Sequence, residues 1–242
     1  MPDFDHRSQD PEIMDDLGCA GEGLTQTLRE LEIINRWLGG NQVTLEGIQL
    51  LLKNHHTDGA LSITDLGCGG GDMLKLVADW GKKKKIKTRL TGVDANPNII
   101  AFASAHSKAY PEITFEIANI LSEEFQKRKF DIVLATLFTH HFSDHELVDM
   151  LKALKHQTKI GIVINDIHRH WFAFQSIRLL TGLFSKSAMV KFDAPLSVLR
   201  AFQRNELETL LANAGINQYT LRWKWAFRWQ LIIPIPFPPI VR

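Results

Sequence analysis

The run Thr64-Asp65-Leu66-Gly67-Cys68-Gly69-Gly70-Gly71-Asp72 joins a short apolar strand signal, Leu61 to Ile63, to an amphipathic helix with Leu74, Val77 and Ala78 on one face. Gly67, Gly69 and Gly71 let the backbone turn sharply and approach a ligand with no Cβ in the way. The helix that follows offers free N–H groups and a partial positive charge. Such a turn cradles the polar end of a nucleotide-like molecule. A dinucleotide fingerprint would need its third glycine at position 72. Asp72 stands there instead, and a carboxylate would repel a pyrophosphate. A ligand carrying an ammonium group fits better. Asp65, at the carboxyl end of its strand where open α/β sheets bind ligands, can accept hydrogen bonds from an α-amino group. A second strand, Arg89 to Val93, ends in Asp94, where a carboxylate suits a bidentate grip on ribose hydroxyls.

Three histidines are candidates for proton transfer, because an imidazole accepts a proton near neutral pH. His140 and His141 follow a strand signal at Phe130 to Ala135, and His168 follows the next strand, so all three are expected at the ligand end of the sheet. His140 and His141 read more as packing or local hydrogen-bonding residues than as catalysts, and His168 divides equally between the two roles. Asp166 either orients an imidazole or caps a helix starting near His170. No metal is expected. Asp144, Asn165 and Asp166 offer suitable atoms but not a convincing spacing, and His55-His56 with His168 and His170 lack cysteine partners for zinc. Arg36 is either a carboxylate-pairing guanidinium or an exposed helical arginine.

The elements that must hold these residues follow from periodicity. Residues 1 to 23 read as an extended or mobile arm. Leu24, Leu28, Leu31, Ile34 and Leu38 recur at helical spacing before Gly39-Gly40, and a second helix holds Leu45, Ile48, Leu51 and Leu52. Strands and helices then alternate from Ile63 to Ile164, the pattern of a parallel, doubly wound sheet. Residues 184 to 203 interrupt that alternation, with Pro195 expected in the first turn of a helix and the segment near the mouth of the site. Asn205 to Ala214 forms another helix. Leu221 to Ile233 alternates as a strand with Trp223, Trp225, Phe227 and Trp229 on one face and Arg222, Lys224, Ala226 and Arg228 on the other. The chain thus divides into an amino-terminal arm and helical cap (1–55), a core (56–233) and a proline-rich tail (234–242).

The 242 residues suffice for one α/β domain with a substantial core. A net charge of +1 gives no global attraction to nucleic acid or to an acidic membrane. The run Lys82 to Lys85 reads as a solvated helix end complementing the dipole. Two cysteines make no disulfide framework, which with no signal peptide favours the cytoplasm. No apolar run reaches 18 residues, so no membrane span is expected.

Asp65 to Gly71 and Gly92-Val93-Asp94 resemble the first two motifs of class I S-adenosylmethionine-dependent methyltransferases. The resemblance extends over about residues 60 to 220 and implies a Rossmann-like, doubly wound, mostly parallel seven-stranded sheet with an amino-terminal helical cap. It implies S-adenosylmethionine (SAM) as cofactor, held by Asp65, Gly67, Cys68, Gly69, Gly71, Asp94 and Ala95. Asn119 and Ile120 would meet the adenine, Leu137 would begin the wall beside the methyl group, and Arg36 is a candidate for the cofactor's carboxylate. Pro11 to Asp16, Ile34 to Gly40, Asp166-Ile167-His168-Arg169 and Pro195 to Arg200 are similar to a bacterial small-molecule branch, that of ubiquinone-biosynthesis-type and phenolic-polyketide-associated methyltransferases. That branch implies O-methylation of a phenolic acceptor, with the amino-terminal helices and residues 184 to 203 as a lid that excludes water, in a monomer or homodimer without nucleic-acid partners. Two other functions remain open: an RNA-modifying methyltransferase, motivated by the lysine run and the Arg/Trp strand, and a non-catalytic partner subunit of the same fold.

Overall fold

The computed structural model describes residues 2–53, 55 and 59–236. A 3-10 turn at Ile13–Asp15 precedes two helices, α1 (Gly21–Trp37) and α2 (Gly40–Leu52). There follow β1 (Leu61–Leu66), α3 (Asp72–Lys84), β2 (Thr88–Asp94), α4 (Pro97–His106), β3 (Ile113–Ile117), the short α5 (Glu123–Gln126) and β4 (Phe130–Thr136). A second 3-10 turn, Thr139–His141, leads to α6 (Asp144–Gln157), β5 (Thr158–Ile167), α7 (Trp171–Phe184), α8 (Ala188–Arg200), α9 (Arg204–Asn213), β6 (Thr220–Lys224) and β7 (Arg228–Pro234).

The seven strands form one sheet in the order β3-β2-β1-β4-β5-β7-β6. The first five are parallel, and β7 runs antiparallel between β5 and β6. Parallel strands need crossover connections, which put helices on both faces and bury the strands on both sides. The central strands carry that signature: Ile63, Leu66, Leu90, Val93, Ile132, Val133, Leu134 and Ala135 are all fully buried. One core packs α2 and α3 against the sheet through Leu51, Leu74 and Val77. The other packs α5, α6 and α9 through Phe125, Leu151 and Leu211. Strand order reverses between β1 and β4, so a crevice opens there at the carboxyl ends of the strands.

Local chemistry sets the boundaries. Asn96 caps α4 by accepting from the Asn98 N–H, with Pro97 in the first turn. Ser143 and Glu146 form a capping box on α6.

Four expectations change. The amino-terminal arm is pinned. Arg169, fully buried, donates to the carbonyls of Phe4, Asp5 and Ala201 and to both carboxylate oxygens of Glu206. Arg7 donates to the carbonyls of His140, Phe142 and Arg200. Pro195 lies well inside α8, whose cap is Ser187. Residues 221–233 form a hairpin rather than one strand, and because β7 is an inner strand both of its faces are covered. Finally, Pro234 is the last residue of β7, where the adjoining Ile235 N–H bonds to Ile160; the expectation for the rest of the tail from residue 237 lies outside the described residues.

Candidate active site

The glycine turn is shaped by what surrounds it. Gly67 has φ 63°, and a Cβ there would fall 2.0 Å from the Phe138 ring. Gly69 has φ 50° with open space before it. Gly71, also left-handed, begins α3. These turns open onto a cavity of about 710 Å³ at the crevice, walled by Asp65, Gly67, Cys68, Gly69, Asp94, Ala95, Asn119, Ile120 and Leu137. Of the residues expected to hold a cofactor, Gly71 and Arg36 do not line it. Gly71 backs onto the Phe115 ring, and Arg36 is exposed on α1.

Asp65 is the electrostatic centre of this end. It is 2% exposed, and its Oδ1 has no hydrogen-bond partner among the described residues. Burial, reinforced by Asp72 and Asp94, pushes its pKa up to about 8. Asp94 is also raised by burial, although N–H groups of Asn96, Gly69 and Ala95 oppose that. Asp72 has its own partner in Lys75 at 2.9 Å. An orphaned, buried carboxylate beside a glycine cradle fits a cationic amino-acid head. Asn119 Oδ1 accepts from the Leu121 N–H and Leu137 has φ 53°, with its N–H bonded to Asn165 O at 2.8 Å. A branched hydrophobe held in that conformation is stored strain beside a site.

Towards β5 the same cavity reaches two histidine–carboxylate pairs. His140 is buried, with Nδ1 2.7 Å from Asp166 Oδ1. Asp166 also accepts from Thr139 Oγ1 and from the His140 N–H at 3.1 Å. Burial alone would raise Asp166, but the His140 charge and these hydrogen bonds hold it well below the carboxylate range. His141 is partly exposed to the cavity, with Nδ1 2.6 Å from Asp15 Oδ1. Asp15 is likewise held low, because His141 and Arg200 (2.5 Å) outweigh its burial. Each ionised carboxylate accepts from Nδ1–H, which leaves each Nε2 as the free nitrogen. Glu12 faces His140 Nε2 at 3.6 Å and is pushed by burial to about 7, against the opposing pull of His141, Ser197 and Arg200.

His168 is elsewhere. It does not line the cavity; its Nδ1 accepts from Trp223 Nε1 at 3.2 Å, and burial and His170 lower its pKa. Asp166 serves His140 and does not cap α7, whose cap is His170. The rest of the cavity is mostly apolar. Met14, Leu28, Leu31 and Ile34 come from the arm and α1, Phe172, Ile177 and Leu180 from α7, and Val190 and Val198 from α8, so the 184–203 segment stands over the site. The lysine run ends α3 at the opposite pole of the sheet, with Lys82 paired to Glu112. Within Glu12, His140 and His141, one ligand atom of each lies within 4.8 Å of the others, a spacing a metal ion can use.

Residues 63–161 match the family described as methyltransferase domain. Those 99 of the chain's 242 residues are similar to that family. Solved structures agree on the fold. Human N-acetylserotonin methyltransferase in complex with SAM is 19% identical, with a TM-score of 0.62 over 92% of this chain and 57% of that one. The plantazolicin methyltransferase in complex with SAH is 17% identical, with a TM-score of 0.59 over 88% of this chain and 98% of that one. The CMeT domain of the citrinin polyketide synthase is 15% identical, with a TM-score of 0.59 over 79% of this chain and 51% of that one. The chain thus spans only about half the length of some of these structures. No curated protein sequence matches it. These structures share the chain's fold, and the two methyltransferases hold SAM or SAH.

Sequence reasoning missed Glu12, Asp15 and Arg228 as wall residues. The acids lie in an arm with no periodicity. Arg228 sat in an alternating run whose basic members read as one solvent face.

Proposed function

We propose that this methyltransferase domain transfers the methyl group of SAM to an oxygen of a small, largely apolar acceptor of phenolic or polyketide type. One observation carries the reading: a single cavity joins the cofactor seat at Asp65 and Asp94 to an apolar chamber floored by His140 and His141, each oriented by an ionised carboxylate.

Bound SAM supplies an electrophilic methyl carbon, so the protein chiefly aligns the acceptor and manages one proton. Asp65 would hold the ammonium group of the amino-acid head and Asp94 the ribose hydroxyls, with Asn119 and Ile120 beside the base. Asp15 holds His141 through Nδ1, and His141 lines the chamber, where its other ring nitrogen would take the acceptor's hydroxyl proton during methyl transfer. His140, Asp166 and Glu12 form a buried network behind it. Apolar walls from α1, α7 and α8 exclude water. An RNA acceptor has less support, because the lysine run is at the far pole and the chamber walls are apolar.

The test is turnover on a panel of phenols and quinols, scored by mass gain of one methylene. On a turned-over acceptor, His141→Ala lowers kcat by about 10²-fold or more while SAH binding is kept. His168→Ala leaves kcat near wild type. A large loss at His168 with none at His141 would reverse this assignment.

A further inference from the structure

Arg228 lines the cavity and belongs to neither the cofactor seat nor the histidine–carboxylate pairs. It is 4% exposed, at the start of β7. Nη2 donates to Asn35 Oδ1 at 3.0 Å, but Nε and Nη1 have no partner among the described residues. No carboxylate among the described residues forms an ion pair with it; Asp166 acts on it only at a distance. Burial accordingly pulls its pKa down to about 10. A buried guanidinium is costly unless it is paired, so two donors without a partner, on a residue that lines the cavity, call for an anion.

The position of those donors says what would pair with them. The guanidinium lies against Gly40, the first residue of α2: a Cβ at Gly40 would stand 2.7 Å from Arg228 Cζ and Nη2. The 13-residue α2 has no side-chain cap, since its N-cap is Gly39, and Asn41 in its first turn lines the cavity. A helix N-terminus and a fork of guanidinium donors at one spot both select a planar anion with two oxygens.

We propose that Arg228 and the first turn of α2 bind a carboxylate carried by the acceptor, which makes the substrate an aromatic acid rather than a neutral phenol. The proposal rests on the methyltransferase reading above. The cofactor's own carboxylate is the other source of this chemistry, and the sheet argues against it. Asp65 is on β1, whereas Gly40 is tied to β5 through Asn165 Nδ2 at 2.7 Å, two strands away, and Arg228 rises from β7, three strands away. Adjacent strands are spaced about 4.8 Å apart, so the two sites are about 10 Å apart across the sheet. The ammonium and carboxylate of an amino-acid head share one carbon and cannot span that gap.

The experiment uses the full chain with SAH, 5′-methylthioadenosine (which lacks the amino-acid head), 4-hydroxybenzoate and its methyl ester as probes. With SAH saturating, wild type is expected to bind 4-hydroxybenzoate at least about tenfold more tightly than the ester. Arg228→Met is expected to abolish that preference, and Arg228→Lys to restore part of it, while SAH affinity stays within about threefold. If Arg228→Met fails to fold, the acid-against-ester comparison on wild type decides alone. Equal binding of acid and ester by wild type overturns the proposal. So does a variant that loses SAH affinity but keeps 5′-methylthioadenosine, which assigns the site to the cofactor. Failure of wild type to bind SAH at all strikes the methyltransferase reading itself, and is seen before any aromatic acid is added.

Discussion

Cofactor binding should release a proton, and Asp65 should be its source. With a pKa of about 8, roughly nine in ten Asp65 carboxyls are protonated at pH 7 in the ligand-free protein. An ammonium group seated against the carboxylate favours the ionised form, so SAH binding at pH 7 expels close to one proton. Displacing it costs RT ln(1 + 10), about 1.4 kcal/mol, and affinity should fall about tenfold for each pH unit below 7. The ligand's own α-amino group, with a pKa near 8, stays protonated over that range and contributes little. The stability of the free protein moves the opposite way from the usual carboxylate. Asp65 binds its proton more tightly folded than unfolded, so the unfolded state holds fewer protons between about pH 4 and pH 8. Stability of the free protein therefore declines as pH rises across that window, and SAH should reverse the decline. Calorimetry of SAH binding at pH 7 in phosphate and in Tris, whose ionisation heats differ, counts the protons directly. Asp65→Asn should cut the count towards zero, flatten the pH dependence and weaken binding by about 10 to 100-fold through the lost charged hydrogen bond. Equal heats in the two buffers for wild type, with affinity constant from pH 6 to 7, would refute the argument.

Gly67→Ala should abolish SAH binding even though a single methyl is added, because the residue has φ 63° and the new Cβ would fall 2.0 Å from the Phe138 ring; SAH titration reads the loss and circular dichroism shows whether the fold persists. Arg169→Ala should destabilise the protein by about 3–5 kcal/mol, since it strips a buried charge network from Glu206 and frees the arm carbonyls of Phe4 and Asp5; denaturant melts measure it, and a change within 1 kcal/mol would show that the arm is held by other contacts.

How much of this was legible in the sequence depended on distance along the chain. The residues expected to seat the cofactor lie on consecutive strand tips, and each tip carries its own local signal: Gly67 and Gly69 after β1, Asp94 at β2, Asn119 after β3 and Leu137 after β4. Strand alternation and switch-point topology then placed them together without knowledge of any long-range contact. The proton-transfer end has no such logic. Asp15 meets His141 across 126 residues, and Arg200 meets Asp15 across 185. A polar, aperiodic arm gives no pattern from which such pairings can be read. His168 shows the same limit: its place after β5 put it at the expected end of the sheet, but the β6–β7 hairpin brings Trp223 and Trp229 to its ring, outside the cavity lining.

That hairpin also explains Arg228. In a single continuous strand, Arg222, Lys224 and Arg228 share one outward face, and nothing separates the three. Folding the run back on itself makes Lys224 and Arg228 cross-strand partners but gives them different neighbours. β6 is the edge, and its Lys224 reaches Glu46 at the rim; β7 is inserted beside β5, and α1 and α2 close over Arg228. The same register that costs the protein a desolvated cation places that cation in the wall of the cavity, on a strand three places from that of Asp65. The cavity thus has an orphaned anion at one end and an orphaned cation at the other, with apolar walls and two oriented imidazoles between them. A molecule that satisfied only one of these ends would leave the other unpaired. Two ligands bound side by side, a cationic cofactor head at Asp65 and an acidic aromatic at Arg228, satisfy both.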